Sequence, residues 1–182
     1  MSEYLDIVDE KGCPTGQKEK REVIHSKGLW HRTSHVWILR HGTHGTEVLL
    51  QKRSSCKDSH PGCYDISSAG HIPCGQDYMD SALRELEEEL GILASAAELR
   101  YLGQRTIIAD SIFHGIPFHD RQISRVYCLW RDVKPSQLTL QESEVASVCW
   151  MSLAECKNRV SAEDPAFPNC IYLQELDMLP LL

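Results

Sequence analysis

A glycine-containing loop followed by an acidic helix holds the residues of this chain that are best suited to chemistry. Between Gly70 and Ile92, a predicted helix carries Arg84, Glu85, Glu88 and Glu89. At about 100° per residue, the three glutamates share one narrow face. Carboxylates so arranged repel one another, so the pattern alone does not stabilise a helix. A hard divalent cation would turn that repulsion into a binding site, because Mg²⁺ and Mn²⁺ take oxygen ligands and bridge to phosphates.

The same helix carries an apolar face that can hold it in place. The pattern predicts a helix over Tyr78–Leu90, with Gly91 ending it. Its apolar residues are Met79, Leu83, Leu86 and Leu90. This stripe can anchor the helix to a core and leave the acidic face open.

The spacing of these residues resembles the Nudix box. That motif is a glycine, five residues, a glutamate, seven residues, and then Arg-Glu-aliphatic-x-Glu-Glu-x-Gly-aliphatic. The matching residues are Gly70, Arg84, Glu85, Leu86, Glu88, Glu89, Gly91 and Ile92. Gln76 departs from the motif, because it stands where the family has a glutamate. The alternative interpretation, a charged and solvated helix face, explains neither Gly70 nor the Arg-Glu order.

This resemblance implies a metal-dependent diphosphohydrolase. The metal ligands would be Glu85, Glu88, Glu89 and the carbonyl of Gly70, binding Mg²⁺ or Mn²⁺. The catalytic group would be Arg84, Glu85 and Glu88, with Glu85 a ligand or the base and Arg84 holding the carboxylates by charge-assisted hydrogen bonds. The expected reaction is cleavage of a diphosphate linkage in a nucleoside diphosphate or its derivative, releasing a monophosphate product.

Substrate binding is predicted for Lys52, Arg53 and Gln76. Lys52 and Arg53 end an apolar strand just before a polar loop, where they can touch a diphosphate; a solvated strand end is an equal alternative. Gln76 lacks the charge of the family's glutamate, but its amide oxygen can accept a hydrogen bond or reach a metal-bound water. Losing one anionic ligand there would weaken metal affinity.

Several further residues are candidates that the sequence does not separate. An acidic residue outside the box is often used in this family, and the candidates are Asp110, Asp120 and Glu144. Aromatic residues before Ile123 can either stack on a base or pack the loop. They are Phe113, His114, Phe118 and His119.

A wider pattern resembles the isopentenyl-diphosphate isomerase branch of this superfamily. The similar segments are His25, His31–Ile38, Lys57–Gly62 and Asp65–His71. The resemblance implies a second metal site at His25, His31 and His71, with hydrogen bonding around a pocket as the alternative. The isomerase's catalytic cysteine is replaced by Ala69, which favours hydrolysis. An isomerase-like protein that acts on or binds prenyl diphosphates, and a non-catalytic binding module, remain alternatives.

The whole chain is predicted to be one domain, residues 1–182. We expect an N-terminal extension over 1–30, a core over about 34–157 and a helical tail over 160–182. With 42% hydrophobic and 25% charged residues the composition is globular, and the net charge of −7 disfavours binding to a nucleic acid polymer. No run of 18 apolar residues and no signal pattern is present, so a cytoplasmic protein without a membrane span is expected. The predicted partner is a small-molecule diphosphate, and the oligomeric state is left open.

The predicted elements suggest an α/β/α sandwich with a mixed sheet between helices, the fold that the Nudix resemblance also implies. Strands are predicted over 4–8, 34–39, 47–52, 64–68, 99–109, 123–133 and 144–151. Residues 17–22 are expected to form a charged connection, and 110–121 a loop. A capping box at Ser152–Glu155 opens a second helix, and a third is predicted over 169–178.

Overall fold

The computed structural model describes residues 3–168 and 170–181. The strands are β1 (Tyr4–Val8), β2 (Pro14–Lys20), β3 (His31–Gly42), β4 (Gly45–Arg53), β5 (Tyr64–Asp65), β6 (Ser68–His71), β7 (Arg100–Phe113), β8 (Ile116–Trp130) and β9 (Val145–Ser152). The helices are α1 (Arg21–Lys27), α2 (Tyr78–Leu90), α3 (Leu153–Ser161) and α4 (Leu173–Leu176). Among the described residues 3–168 and 170–181, no helix is long and apolar enough to cross a membrane.

A seven-stranded mixed sheet forms the centre of the fold. Its strands run in the order β5-β4-β3-β8-β7, with β6 also paired to β3 and β9 to β4. The pairing of β3 with β8 is parallel, while the other pairings are antiparallel. Strands β1 and β2 form a separate antiparallel hairpin.

Helices cover both faces of this sheet. Alternation along β3 sends Val36 and Ile38 into one core with α2, and Trp37 and Leu39 into the other with α3 and α4. The predicted α/β/α sandwich is therefore confirmed.

Helix α2 has the predicted bounds because both of its ends are capped. The Asp77 side chain accepts hydrogen bonds from the backbone N–H groups of Met79 and Asp80. Gly91 takes the left-handed conformation with φ of 68°, and its N–H bonds back to the last turn. The capping box of α3 is present as well, since Ser152 accepts from the N–H of Glu155. These local signals place α2 accurately beside β6.

The predicted loop over 110–121 is wrong, because β7 and β8 continue through it as a long hairpin. Its turn contains His114 and Gly115, with φ of 51° and 77°. Polar residues gave this segment the composition of a loop. In the ribbon they pair across strands instead, as when His119 binds Asp110 at 2.7 Å.

The two ends of the chain also differ from expectation. The predicted connection over 17–22 belongs to β2 and the start of α1, whose buried residues are Ile24 and His25. In the predicted tail helix over 169–178, residue 169 lies outside the described residues and α4 has only four residues. Pro165 and Pro168 lie between α3 and α4, where a proline cannot donate a helical hydrogen bond.

Candidate active site

A pocket of about 350 Å³ opens at one end of the sheet, and the helix α2 forms one of its walls. Box residues in its lining are Gly70, Arg84, Glu85, Glu88 and Glu89. The structure thus brings together all the residues predicted as metal ligands or catalytic groups. The physical reason is local: Ala82, Leu86 and Leu90 are fully buried against the sheet, so the acidic face of the helix is turned toward the opening.

Arg84 holds two of the three carboxylates. Its Nη1 donates to Glu88 Oε2 at 2.8 Å, and its Nη2 donates to Glu85 Oε1 at 2.7 Å. Glu88 is half exposed, whereas Glu85 keeps only 14% of its side-chain surface. Arg84 therefore fixes the spacing of one buried and one accessible carboxylate.

Glu89 is the most buried member of the cluster. It is 5% exposed, and its Oε2 atom has no hydrogen-bond partner among the described residues. Burial, with the charge of Glu85 adding to it, raises the pKa of Glu89 to about 8. Burial likewise raises the pKa of Glu85, against the opposing effect of Arg84. An unpartnered buried oxygen between acidic neighbours is the arrangement that a bound cation would stabilise.

Gly70 leaves room for the Glu85 carboxyl. A Cβ atom at position 70 would overlap the Cγ and Cδ atoms of Glu85. The glycine of the box is therefore required because the carboxyl packs directly against the backbone of β6.

Of the three residues predicted to bind substrate, only Arg53 reaches the pocket. Arg53 Nη1 donates to Asp65 Oδ2 at 2.6 Å, and its Nε donates to the carbonyl of Ser59. Lys52 is exposed outside the pocket, because side chains alternate along β4 and Arg53 points the other way. Gln76 is also exposed outside it, and its Oε1 accepts from Ser81 at 3.4 Å. The geometry therefore does not support substrate contacts by Lys52 or Gln76.

Lys57 is a further cationic residue of the pocket, and the sequence does not single it out for binding. Lys57 lines the pocket and is paired with Glu144, which lines it too. Lys57 lies in an irregular segment whose direction no periodic pattern predicts. Of the other acidic candidates, Asp120 lines the pocket, whereas Asp110 is exposed and bound to Arg121 and His119.

The three histidines form a compact group beside the box. Ligand atoms of His25, His31 and His71 all lie within 4.8 Å of one another, and Nε2 of His25 is 3.2 Å from Nε2 of His71. Asp120 Oδ1 lies 3.6 Å from His31 Nε2 and 3.8 Å from His25 Nδ1. Neither His31 Nε2 nor Asp120 Oδ1 has a hydrogen-bond partner in the part of the chain that the structure describes.

Burial controls the charge of this group. It lowers the pKa of His25 to about 3 and that of His31 to about 4, and it lowers the pKa of His71 well below its usual value. It raises the pKa of Asp120 to about 6. Neutral imidazoles next to a carboxylate match the donor set of a transition-metal site. The sequence pointed to the histidines, but only the fold brings Asp120 to them.

Aromatic side chains close the side of the pocket formed by the β7–β8 hairpin. Phe113 and Phe118 both line it, and the Phe118 ring stacks on His25 with centroids 4.1 Å apart. His119, in contrast, points to Asp110.

Comparison with known sequences gives one consistent family. The NUDIX domain family matches residues 31–170. Nudix hydrolase 3 of Arabidopsis thaliana is 37% identical over 168 residues, which are 91% of this chain and 21% of that protein. This chain therefore spans about a fifth of that relative. An uncharacterized Nudix hydrolase of Clostridium acetobutylicum is 38% identical over 153 residues, covering 84% of this chain and 71% of the relative.

Solved structures share the fold. A Deinococcus radiodurans protein gives a TM-score of 0.69 at 20% identity, covering 88% of this chain and 90% of that one. The NUDIX domain of Shewanella oneidensis NrtR, complexed with ADP ribose, gives 0.56 at 18% identity, covering 82% and 85%.

Proposed function

The chain belongs to the Nudix family, and we propose that it is a metal-dependent hydrolase of a nucleoside diphosphate or nucleoside diphosphate derivative. The observation that carries this proposal is the acidic face of α2, where Glu85, Glu88 and Glu89 face the pocket across from Gly70. Water would attack one phosphorus, and the bridging oxygen would leave with the other phosphate.

The residues present fit a divalent metal ion. The donors are carboxylate oxygens and the Gly70 carbonyl, which are the ligands that Mg²⁺ and Mn²⁺ prefer. The unpartnered Glu89 Oε2 gives an independent reason to expect a cation there. When bound, the metal would neutralise phosphoryl charge and lower the pKa of the attacking water.

The chain's own groups would position the diphosphate and move the proton. Glu85, whose pKa is raised, is suited to accept a proton from the attacking water. Arg84 would keep Glu85 and Glu88 in place through its two hydrogen bonds. Arg53 and Lys57 supply positive charge in the pocket lining, where they would contact phosphoryl oxygens.

The nucleoside would lie against the aromatic side of the pocket. Phe113 and Phe118 offer ring surfaces that can stack on a base. The Shewanella domain of the same fold is complexed with ADP ribose, which supports a nucleotide-sized ligand.

The test is product release from a panel of diphosphates with Mg²⁺ and with Mn²⁺. The panel holds nucleoside di- and triphosphates, nucleotide sugars, dinucleotides and prenyl diphosphates. Glu88→Gln should lower turnover of the hydrolysed class about 100-fold or more, the usual loss when one electrostatic contribution to transition-state stabilisation is removed. Glu87→Gln is the matched control, since Glu87 lies on the same helix but is exposed outside the pocket. Turnover that Glu88→Gln leaves unchanged would overturn the proposed role of the box.

Prenyl diphosphates are in the panel because of the isomerase-like pattern. Ala69 lines the pocket and carries no acid or base, so the proposal places hydrolysis ahead of isomerisation. Conversion of isopentenyl diphosphate to its isomer would contradict this order. Metal binding without turnover of any panel member would favour a non-catalytic binding module.

We also propose that His25, His31, His71 and Asp120 form a second metal site. The unpartnered His31 Nε2 and Asp120 Oδ1 atoms support it, because buried polar atoms are normally satisfied. Calorimetric titration with Zn²⁺, Mn²⁺ or Co²⁺ in the Glu88→Gln background should show one site that Asp120→Asn and His71→Gln weaken about tenfold or more. Exposed His44→Gln is the control. Equal affinity in all four proteins would refute a metal at these residues.

A further inference from the structure

His35 belongs to the pocket but to neither of the proposed metal sites. It lies in the middle of β3 with 6% of its surface exposed, and it contributes to the pocket lining. Its Nδ1 atom is 2.9 Å from Oε1 of Glu175, a residue of α4 that is fully buried. A carboxylate at this distance orients the ring and keeps the proton on Nδ1. Nε2 is therefore the ring nitrogen left for a ligand.

Glu175 is itself held rigidly by three partners from two strands. Besides His35, its Oε2 accepts from Trp37 Nε1 at 3.1 Å, and its Oε1 accepts from Arg105 Nη1 at 2.9 Å. Arg105 also lies over the ring of Tyr172, 4.2 Å from its centroid. A carboxylate with this many donors cannot swing away, so the imidazole that it orients is fixed as well.

The charges around His35 favour its cationic form. Burial alone would lower the pKa of His35, but the charge and hydrogen bond of Glu175 more than offset this, and the pKa is raised. Asp65 also raises this pKa from β5, whereas Arg105 opposes it from β7. Asp120 on β8 is a further charged neighbour, because burial raises the pKa of Asp120 and the charge of His35 partly opposes this rise.

His35 also lies close to the Nudix box across the sheet. In the register of β3 with β6 it pairs with Ala69, the residue before Gly70, against which the Glu85 carboxyl packs. His35, Gly70 and Glu85 all line one pocket, so a donor fixed at position 35 shares the space that the substrate of the box would occupy.

We propose that His35 is a substrate-binding residue that donates its Nε2–H to a phosphoryl oxygen, with Glu175 as its positioning residue. This inference rests on the proposed function, because it assigns one more contact in the same pocket. It adds a cation to a pocket lining in which carboxylates outnumber arginine and lysine side chains, and so strengthens the attraction of the site for an anionic substrate.

The first test is nuclear magnetic resonance of the protein labelled with ¹⁵N-histidine, with Mg²⁺ present. The probes are α,β-methylene-ADP and methylenediphosphonate, which the proposed hydrolysis cannot cleave at the bridging position. We expect saturation with either probe to shift the His35 Nε2 resonance, assigned by its loss in His35→Gln. Binding that leaves this resonance unmoved would overturn the proposal, even for a well-folded protein that hydrolyses nucleotides.

Two substitutions of His35 distinguish its contact with the substrate from its contact with Glu175. His35→Asn keeps an amide near Nδ1, and so the Glu175 contact, but has nothing at Nε2. His35→Gln places an amide near Nε2 and loses the Glu175 contact. We expect His35→Asn to weaken α,β-methylene-ADP binding about tenfold or more, and His35→Gln to weaken it less, because both variants lose the positive charge but only the first also loses the donor at the Nε2 position. The exposed His44→Gln should bind as the wild type does.

Each outcome bears on one proposal or on both. Wild-type affinity in His35→Asn would overturn the assignment of His35. A shifted His35 resonance in a protein that hydrolyses no panel member would keep that assignment and reject the hydrolase. Absence of binding by both probes would overturn the assignment of His35, and if the same Mg²⁺-bound protein also hydrolyses no panel member, both proposals fail.

Discussion

The environment of the buried Glu89 carboxyl group is suited to a bound cation and unfavourable without one. Glu89 is buried near the carboxylates of Glu85, Asp65 and Glu144, whereas Arg84 pairs with Glu85 and Glu88 instead. Burial consequently raises the pKa of Glu89 to about 8. A carboxyl group in such a position is unfavourable for the stability of the metal-free fold. We expect the metal-free fold to be destabilised at this position, because the site is stabilised by the metal that it binds.

The first prediction concerns Glu89→Gln in the metal-free protein. The folded pKa lies above the unfolded value of 4.5, so the free energy of unfolding falls as pH rises from about 4.5 to about 8. Each pKa unit corresponds to about 1.4 kcal/mol. A neutral glutamine removes this loss, so thermal unfolding in EDTA should show Glu89→Gln more stable than the wild type at pH 8 and about equal at pH 4.5.

Glu87→Gln serves as the control for this measurement, because Glu87 is exposed on the same helix. Its difference in Tm from the wild type should be the same at both pH values. A Glu89→Gln variant that is no more stable than the wild type at pH 8 would show that Glu89 is not penalised by burial.

The site depends, at the scale of elements, on how closely α2 approaches β6. Two signals set this approach: the caps at Asp77 and Gly91 fix where the helix begins and ends, and the apolar stripe turns its acidic face outward. Both signals are local, so the sequence predicted the helix with its observed bounds. Only the end of the β7–β8 hairpin, residues 110–121, is predicted as a loop, because its polar residues are satisfied by pairing across strands, which no window along one strand reveals.

The second prediction is that Gly70→Ala folds but loses metal binding. The added Cβ would overlap the end of the Glu85 side chain, which can swing away at small cost to the fold. Its carboxylate would then leave the site. We expect Tm within a few degrees of the wild type and affinity for Mn²⁺ about tenfold or more weaker by calorimetry.

Gly103→Ala is the matched control for Gly70→Ala. A Cβ at position 103 would meet only the Met178 side chain, at 3.6 Å, which is ordinary contact. It should change neither Tm nor Mn²⁺ affinity appreciably. Unchanged Mn²⁺ affinity in Gly70→Ala would mean that Glu85 does not ligate the metal.

At the scale of the whole molecule, Glu175 joins parts of the chain that are far apart. It connects α4 to His35 and Trp37 on β3, residues 140 and 138 positions away, and to Arg105 on β7. The C-terminal segment therefore belongs to the structural support of the pocket, to which Cys170 and Tyr172 also contribute. The sequence predicts a helical tail here but not that this segment supports the pocket.

The third prediction is the pH dependence of the stability that Glu175 provides. The pKa of His35 is raised, so its contribution is complete below 6.5 and is lost as pH rises through the folded pKa. The pKa of Glu175 is lowered, so its contribution is complete above 4.5 and is lost as pH falls through the folded pKa. The pair should stabilise most between about pH 4.5 and 6.5.

Denaturant unfolding of Glu175→Gln measures this contribution. At pH 5.5 the variant should lose about 3 kcal/mol, the usual order for breaking a buried ion pair, and less at pH 8.5. Glu142→Gln, an exposed substitution, should change little at either pH. A loss that does not depend on pH would show that Glu175 does not raise the pKa of His35.

The sequence by itself determined the Nudix box, the helix that carries it and the layered fold, because these depend on spacing within short segments and on alternation along single strands. The tertiary structure decided which other residues share the pocket. Alternation of side chains along β4 places Arg53 in the pocket and Lys52 outside it. Gln76 also lies outside the pocket, and the fold brings Asp120 to the three histidines. The physical reason is that such contacts join side chains from different strands and helices, whose meeting depends on register and packing that no single segment encodes.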